Sequence, residues 1–402
     1  PLVLERGEDA QSRHAKVEAF FAGGSLDVRS NVQFGEGGAG TFSDGKLNTG
    51  VNNPRIGWVL EQMVKAGARE DILYDAKPHV GTDVLLTVVQ NLRKRIVELG
   101  GEVRFSTQVT GLETENGQLT GVQTDSGEVI PCRAAVLAIG HSARDTFEML
   151  EKTGIPMEPK PFAMGARIEQ KQAVINRAQY GMENPALPPA DYKLVEHLEN
   201  ATVYTFCMCP GGHVVAAASE EGRIVTNGMS NADREGENAN AALLVTVNPA
   251  DFPYEGPLGG MRWQREIEER AYRVSGSYRA PAQQVGDFLA HCPSVGQGSV
   301  EPTYRPGVTW CDLHEVLPEK LTDAMEQALP RLDRKLAGFA APDAVLTAPE
   351  TRSSSPVRIV RDDSRQSALR GLYPTGEGAG YAGGIMSAAI DGILTAEAIL
   401  GC

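Results

Sequence analysis

The stretch from Gly371 to Leu400, GLYPTGEGAGYAGGIMSAAIDGILTAEAIL, constrains the fold most: a short apolar strand runs into a glycine cluster that opens an unbroken helix of small and apolar residues. Gly378-x-Gly380-x-x-Gly383 satisfies the G-x-G-x-x-G spacing, in which glycines allow a tight turn and let an anionic ligand approach the N–H groups of a helix start. In the first βαβ unit of a dinucleotide fold, a confirming acidic residue stands about 20 positions further on, at the end of the next strand. Here residue 402 ends the chain before such a strand can form. The segment therefore reads as the last strand and helix of a flavin-binding domain, with the helix N-terminus toward the isoalloxazine ring.

The other end supplies a matching half. Pro1-Leu-Val-Leu-Glu5-Arg-Gly7 is an apolar strand that stops at an acidic residue followed by glycine. The second strand of a dinucleotide fold ends in this way, its carboxylate accepting hydrogen bonds from the adenosine ribose. No strand with a glycine fingerprint precedes Glu5 in these 402 residues, and the expectation is a chain lacking the first strand and turn, with its hold on FAD weakened.

Net charge is −14, with Lys and Arg scattered, whereas phosphate-backbone binding calls for a clustered basic face. A small-molecule partner is expected, with no nucleic acid and no membrane, since no apolar run approaches the ~20 residues of a spanning helix. Six cysteines in 402 residues are too few for a disulfide scaffold, which points to a cytoplasmic α/β enzyme. Oligomeric state has no sequence signal.

The pattern predicts a helix over 11–21, a glycine-rich loop over 31–48 and an amphipathic helix over 82–99 that packs on a sheet. Strands follow at 102–105, 108–115, 119–125 and 128–139, broken by the hairpin signals Asn116-Gly117 and Ser126-Gly127. They form a β-meander and a return strand, whose run Ala134–Ile139 is apolar enough to be covered on both faces. From about 156 to 338 proline-rich connectors, strands at 203–208 and 213–218, and helices at 261–273 and 321–336 mark a separate unit. The predicted fold class is α/β: a Rossmann-like FAD/NAD(P)-binding domain with a β-meander, interrupted by an inserted mixed α+β substrate domain. The divisions are 1–155, 156–340 and 341–402.

Five motifs together, Leu4-Glu5-Arg6-Gly7, Val32–Thr49, Val136–Arg144, Glu350–Arg358 and Pro374–Gly384, resemble those of bacterial FAD-dependent dehydrogenases, a largely uncharacterised group within the glutathione-reductase-like flavoproteins. The resemblance covers nearly the whole chain and implies FAD as cofactor and an oxidoreductase activity, without naming a substrate.

The candidate cofactor residues follow. Glu5, with Arg6 behind it, is placed at the ribose. Gly35, Gly37, Gly38 and Gly40 with the Thr41 and Ser43 hydroxyls cradle the pyrophosphate and ribityl chain, and Val109 at the start of the meander joins them. Gly140 ends a strand where ligands collect in α/β sheets. Gly376 and Glu377 meet the ribityl or pyrophosphate, and Gly383, Gly384 and Ile385 present helix N–H groups to flavin N1 and the C2 oxygen. A reduced flavin is negative at N1, and a helix N-terminus carries roughly half a positive charge.

Catalytic candidates are weaker. Lys46 either approaches the flavin or is a solvated lysine; His141 is an acid/base candidate or a hydrogen-bonded structural residue; Arg352 and Arg358 either bind an anionic substrate or form ion pairs. Cys207-Met-Cys209 puts two thiols on one strand face, and a structural reading is preferred to a redox pair. No metal is expected, for want of a histidine cluster or second cysteine pair. The leading function is transfer of hydride through flavin N5 to or from a small molecule, with NAD(P)H as a plausible donor that has no fingerprint of its own. The alternatives are a flavin-binding redox-sensing or partner-binding protein without turnover, and a cofactor-free fragment.

Overall fold

The N-terminal strand Leu2–Leu4 pairs in parallel with Glu102–Arg104, and the strand Leu372–Pro374 pairs in parallel with Ala135–Leu137. They are two separate two-stranded ribbons, one joining the chain's beginning to the segment before the meander and the other joining the segment after it to the chain's end. The computed structural model describes residues 1–402 other than Glu183, Pro185 and Cys402. Among the described residues no helix is long and apolar enough to cross a membrane.

The helix Ala10–Phe21 starts on Asp9, whose carboxylate accepts from the Gln11 and Ser12 N–H groups and so satisfies donors that a helix start leaves free. Its buried face is Ala10, Arg13, Val17, Phe20 and Phe21. The amphipathic helix forms at Thr82–Glu98. Its buried Leu85 and Val88 join Leu47, Val59, Met63, Met386 and Ile390 in one cluster, and the helix lies against Ala10–Phe21, the turn Ala39–Phe42 and the strand Glu102–Arg104 of the first parallel ribbon, as expected of a helix packed on a sheet.

The meander is a three-stranded antiparallel sheet of Val109–Glu115, Gln118–Thr124 and Val129–Pro131. At its first hairpin Asn116 and Gly117 both have positive φ, 50° and 76°, as a two-residue turn matched to strand twist requires. The strand expected over 128–139 is instead two pieces, Val129–Pro131 in the meander and Ala135–Leu137 in the parallel ribbon. Val136 is 48% exposed, so this strand is not covered on both faces.

The middle of the chain is built on a seven-stranded sheet, in the order Val308–Trp310, Ala280–Gln284, Val345–Glu350, Phe162–Lys171, Asn238–Val247, Thr202–Cys209, Val195–His197. Its central strands are buried nearly end to end because helices such as Gly259–Ser275 and Glu319–Lys335 contribute to the same core. Val345–Glu350 hydrogen-bonds to Phe162–Lys171. The boundary drawn from sequence at 340/341 thus cuts a strand away from its own sheet. Alternation cannot reveal this, since a strand buried on both faces looks alike in either unit.

Candidate functional site

The glycine loop is ordered from beneath by a residue the sequence reading missed. Arg13 is completely buried, and its guanidinium donates to five backbone carbonyls of the loop: Asn31 (2.7 Å), Val32 (2.8 Å), Gly35 (3.4 Å), Glu36 (2.7 Å) and Gly38 (2.9 Å). Burial pulls its pKa down to about 10 against the opposing pull of Glu5 and Glu36, which leaves it charged at neutral pH. Gly35 has φ +116°, and a Cβ there would lie 2.4 Å from Arg13 Cδ, so the glycine is needed for the arginine to pass.

Glu5 ends its strand as expected, and one oxygen, Oε1, accepts from Gly7 N (2.9 Å) and Gly35 N (3.0 Å). The carboxylate therefore ties strand to loop, and a ribose would have to use the other oxygen. Arg6 pairs with Asp145 through two 2.9 Å bonds and lies over the Phe34 ring, a structural commitment at the edge of the same loop. Val109 is half-buried at the head of the meander.

The hydroxyls assigned to the ligand are turned inward. Thr41 Oγ1 donates to Glu36 O at 3.4 Å, and Ser43 Oγ donates to Gly40 O at 2.6 Å while accepting from Gly45 N. Gly37 is filled by its own chain, since a Cβ there would lie 2.2 Å from Thr41 Oγ1. Gly38 is the opposite: nothing lies within 4 Å of its missing Cβ. Gly40 lies against Ile385, so the loop abuts the start of the C-terminal helix.

That helix, Ile385–Leu400, begins at Gly384 with no side-chain cap. Nothing lies within 4 Å of a Cβ built on Gly376, Gly383 or Gly384. Gly383 N donates to Ser387 Oγ and Gly376 N to Asp391 Oδ2, which fixes the turn to the helix it opens. Gly378 packs directly on the strand-end glycine: its Cβ would lie 2.3 Å from Gly140 O. The result is a cleft with bare backbone on both walls and an uncapped helix N-terminus, a fit for an extended anionic cofactor such as FAD.

Around this cleft the titratable groups are strongly perturbed. His141 Nε2 lies 3.6 Å from Glu377 Oε1. Burial, then the charges of Arg352 and Arg144, pull the His141 pKa down to about 3, which makes it a poor proton acceptor and disfavours the acid/base role. Burial pushes Glu377 up to about 7 despite Lys160. Lys160 is itself lowered, by burial and then by Arg358.

Arg352 is not open to a substrate. Its donors are spent on Glu268 (3.0 and 2.8 Å) and Ser219 Oγ (2.6 Å). Glu268, completely buried, also takes both terminal nitrogens of Arg144 at 2.7 Å. Arg358 is exposed, with its guanidinium 5.5 Å from the Tyr381 ring centre, and so keeps the anion-binding possibility. Lys46 pairs with Asp44 at 2.9 Å and donates to Met208 O; burial would lower its pKa, but Cys209, Asp44 and Cys207 together raise it. It is an anchored cation rather than a solvated one.

Elsewhere, His291, His314 and Glu326 bring three ligand atoms within 4.8 Å of one another, short of the four that a closed zinc site takes. His314 bridges Asp312 and Glu326 at 2.6 Å each, the pattern of an ion bridge. A concavity of about 510 Å³ on the meander, lined by Asn116, Leu119, Pro131 and Cys132 among others, shares no residue with the glycine cleft.

Residues 161–353 match the family described as FAD-dependent protein, C-terminal domain-like, and these bounds nearly coincide with the seven-stranded unit. Residues 50–223 match flavin containing amine oxidoreductase. An uncharacterized protein of Clostridium beijerinckii is 50% identical over 406 residues, covering 100% of this chain and 76% of its own length. Among solved structures, glycine oxidase from Bacillus cereus is 13% identical with TM-score 0.38 over 100% of this chain and 94% of that one. CtdE in complex with FAD is 12% identical with TM-score 0.34 over 99% and 83%. Both structural likenesses are too distant to bear on site or substrate.

Proposed function

The chain belongs to the family of FAD-dependent oxidoreductases, and on that premise we propose that the glycine-walled cleft holds FAD and exchanges hydride with a small organic substrate. The observation that carries this reading is the uncapped N-terminus at Gly383–Ile385, open to a ligand and adjoining the Gly38–Gly40 loop. When bound, the cofactor supplies two-electron chemistry at its N5.

The protein's part is position and electrostatics. Gly38, Gly140, Gly376 and Gly383 let the ligand reach backbone, and the helix start sets partial positive charge against the pyrimidine end. Glu5 and Arg13 keep strand and loop in register. Glu377, with its raised pKa, is positioned to hold or release a proton at neutral pH on the cleft wall. Lys160 and Arg358 offer positive charge beside it for a substrate carboxylate or phosphate.

The test is the visible spectrum of the purified chain titrated with FAD, followed by anaerobic addition of NADH or NADPH. Bound flavin bands that bleach on addition support an oxidoreductase with a nicotinamide donor. Bands that bleach only with dithionite leave the oxidoreductase reading needing another donor, and absence of FAD binding at micromolar concentration overturns the cleft assignment.

A further inference from the structure

Two thiols border the cleft in a geometry that flavin chemistry does not require. The strand Thr202–Cys209 loses register with Asn238–Val247 between Phe206 and Cys209, and Cys207 has φ +44°. Non-glycine residues seldom adopt this left-handed conformation, and such strain is maintained where the surroundings over-determine it. In a regular strand the Cα atoms of residues two apart stand about 6.6 Å from each other, close to the upper limit of about 6.8 Å for a disulfide. The bulge breaks that regular spacing. Cys209 Sγ donates to Cys207 O at 3.3 Å.

Cations clamp the bulge. Arg167, fully buried, donates Nη1 to Cys207 O at 2.9 Å and pairs with Glu350 at 2.6 and 2.8 Å. Gly228 leaves room for it, since a Cβ there would lie 2.5 Å from Nη1. From the glycine-loop side, Lys46 bonds to Met208 O. Cys207 is half-buried and reachable; Cys209 is buried behind it.

We propose that Cys207 and Cys209 are a redox-active dithiol that reduces an organic disulfide entering the cleft, with Cys207 as the attacking sulfur and Cys209 as the resolving one. The Cys207 thiolate attacks one sulfur of the incoming disulfide, whose S–S bond breaks and releases one thiolate. The Cys209 thiol gives its proton to that thiolate and attacks Cys207 Sγ, breaking the mixed disulfide and releasing the second thiolate, which takes a proton from solvent. The substrate gains two electrons and two protons; the protein keeps a Cys207–Cys209 disulfide. The step uses this chain's thiols alone, so it is separable from the flavin reading.

The surroundings favour this division of roles. The hydrogen bond from Cys209, then Lys46 and Arg167, hold the Cys207 thiol well below its usual range against burial and Asp44, while Cys209 is pushed up. Glu350 and Glu377 also face Cys207 and oppose the thiolate. Cys292 is more exposed but is pushed up by burial and by Asp287 and Asp312. Exposure and thiolate character therefore point to different cysteines.

The reduced full-length chain, freed of reductant, is incubated with oxidised glutathione and mapped by peptide mass spectrometry. Two thiols should disappear together as a disulfide within the peptide carrying both Cys207 and Cys209. In Cys209→Ser the reaction should stop with glutathione on Cys207; in Cys207→Ser the rate at this peptide should fall at least about tenfold. Lys46→Gln should move the pH midpoint of the rate upward. Oxidation confined to Cys132, Cys292 or Cys311, or no reaction at the Cys207 peptide, overturns the proposal. Should a variant fail to fold, graded-pH alkylation of the unaltered chain decides the matter: Cys207 should label before Cys292, and the reverse order refutes the assignment.

Discussion

Replacing Arg13 by lysine keeps the charge and most of the volume but removes the fork that holds the glycine loop. The guanidinium makes five hydrogen bonds to loop carbonyls, whereas an ammonium has three donors. At least two charge-assisted bonds are lost, each contributing about 1.5–3 kcal/mol, or about 3–6 kcal/mol in all. With an unfolding entropy of about 2.1 cal/mol/K per residue over 402 residues, that corresponds to a fall in melting temperature of about 4–7 °C. Thermal unfolding followed by circular dichroism reads the shift directly, and a flavin titration of the folded protein reads the consequence for the site. Because Gly35, Glu36 and Gly38 are held by this one side chain, FAD affinity should drop about tenfold, equivalent to about 1.4 kcal/mol. A lysine variant that melts within about 1 °C of the parent and binds FAD equally would show that the loop holds its shape without the arginine.

Other changes probe neighbouring parts of the argument. Gly378→Ala drives a methyl into the Gly140 backbone, so it should cost about 1–3 kcal/mol and abolish flavin binding. Gly383→Ala meets nothing within 4 Å and has no left-handed φ, so by equilibrium denaturation its stability should stay level or rise by about 0.4–1 kcal/mol while FAD affinity falls; loss of both together would contradict an open cleft. Glu268→Gln leaves the buried Arg144 and Arg352 with Glu220 as the carboxylate beside both, and a melt or urea titration should show a loss of about 3–5 kcal/mol, whereas Glu196→Gln, in an exposed pair with Arg331 and Lys335, should hardly register. The His314 pKa is raised: burial opposes the charge, but bonds to Glu326 and Asp312 and their charges outweigh it. Its contribution to stability should therefore be complete below the unfolded pKa of about 6.5 and vanish as pH rises through the folded value; His314→Gln should flatten that part of the stability-versus-pH curve, and an unchanged curve would refute the bridge.

Much of the fold was legible because local signals agreed with it. The Asn116-Gly117 turn, the capped helix after Asp9, the amphipathic periodicity of Thr82–Glu98 and the glycines opening Ile385–Leu400 each specify their own geometry. The strand Val345–Glu350 was given to the wrong unit because burial on both faces erases alternation, and Ala135–Leu137 was read as fully covered although it gains only one neighbour. In the cleft, glycine positions were visible but side-chain directions were not. Thr41 and Ser43 have the chemistry to meet a ligand and instead brace their own loop. Arg352 has the chemistry to bind a carboxylate and found Glu268. A residue type fixes what a group can bind, whereas long-range packing fixes what it does bind.

The buried cations show what such a reading should look for. In a chain of net charge −14, surface arginine is unremarkable, yet Arg13, Arg144 and Arg167 are the largest of the fully buried side chains. Desolvating a guanidinium is costly unless its donors are met, so each must be enclosed by acceptors. Arg144 finds Glu268 and Glu220. Arg13 finds backbone carbonyls of the glycine loop, and Arg167 finds Glu350 and, beside it, the carbonyl of Cys207, where glycines or a left-handed turn leave carbonyls that no regular ladder can satisfy. The signal was present in the pattern: Arg13 falls on the face set by Ala10, Val17 and Phe20, and Arg167 stands inside the apolar strand Phe162–Lys171. A cation at a position that periodicity assigns to the core marks irregular backbone nearby, and here both such cations lead to the walls of the same cleft.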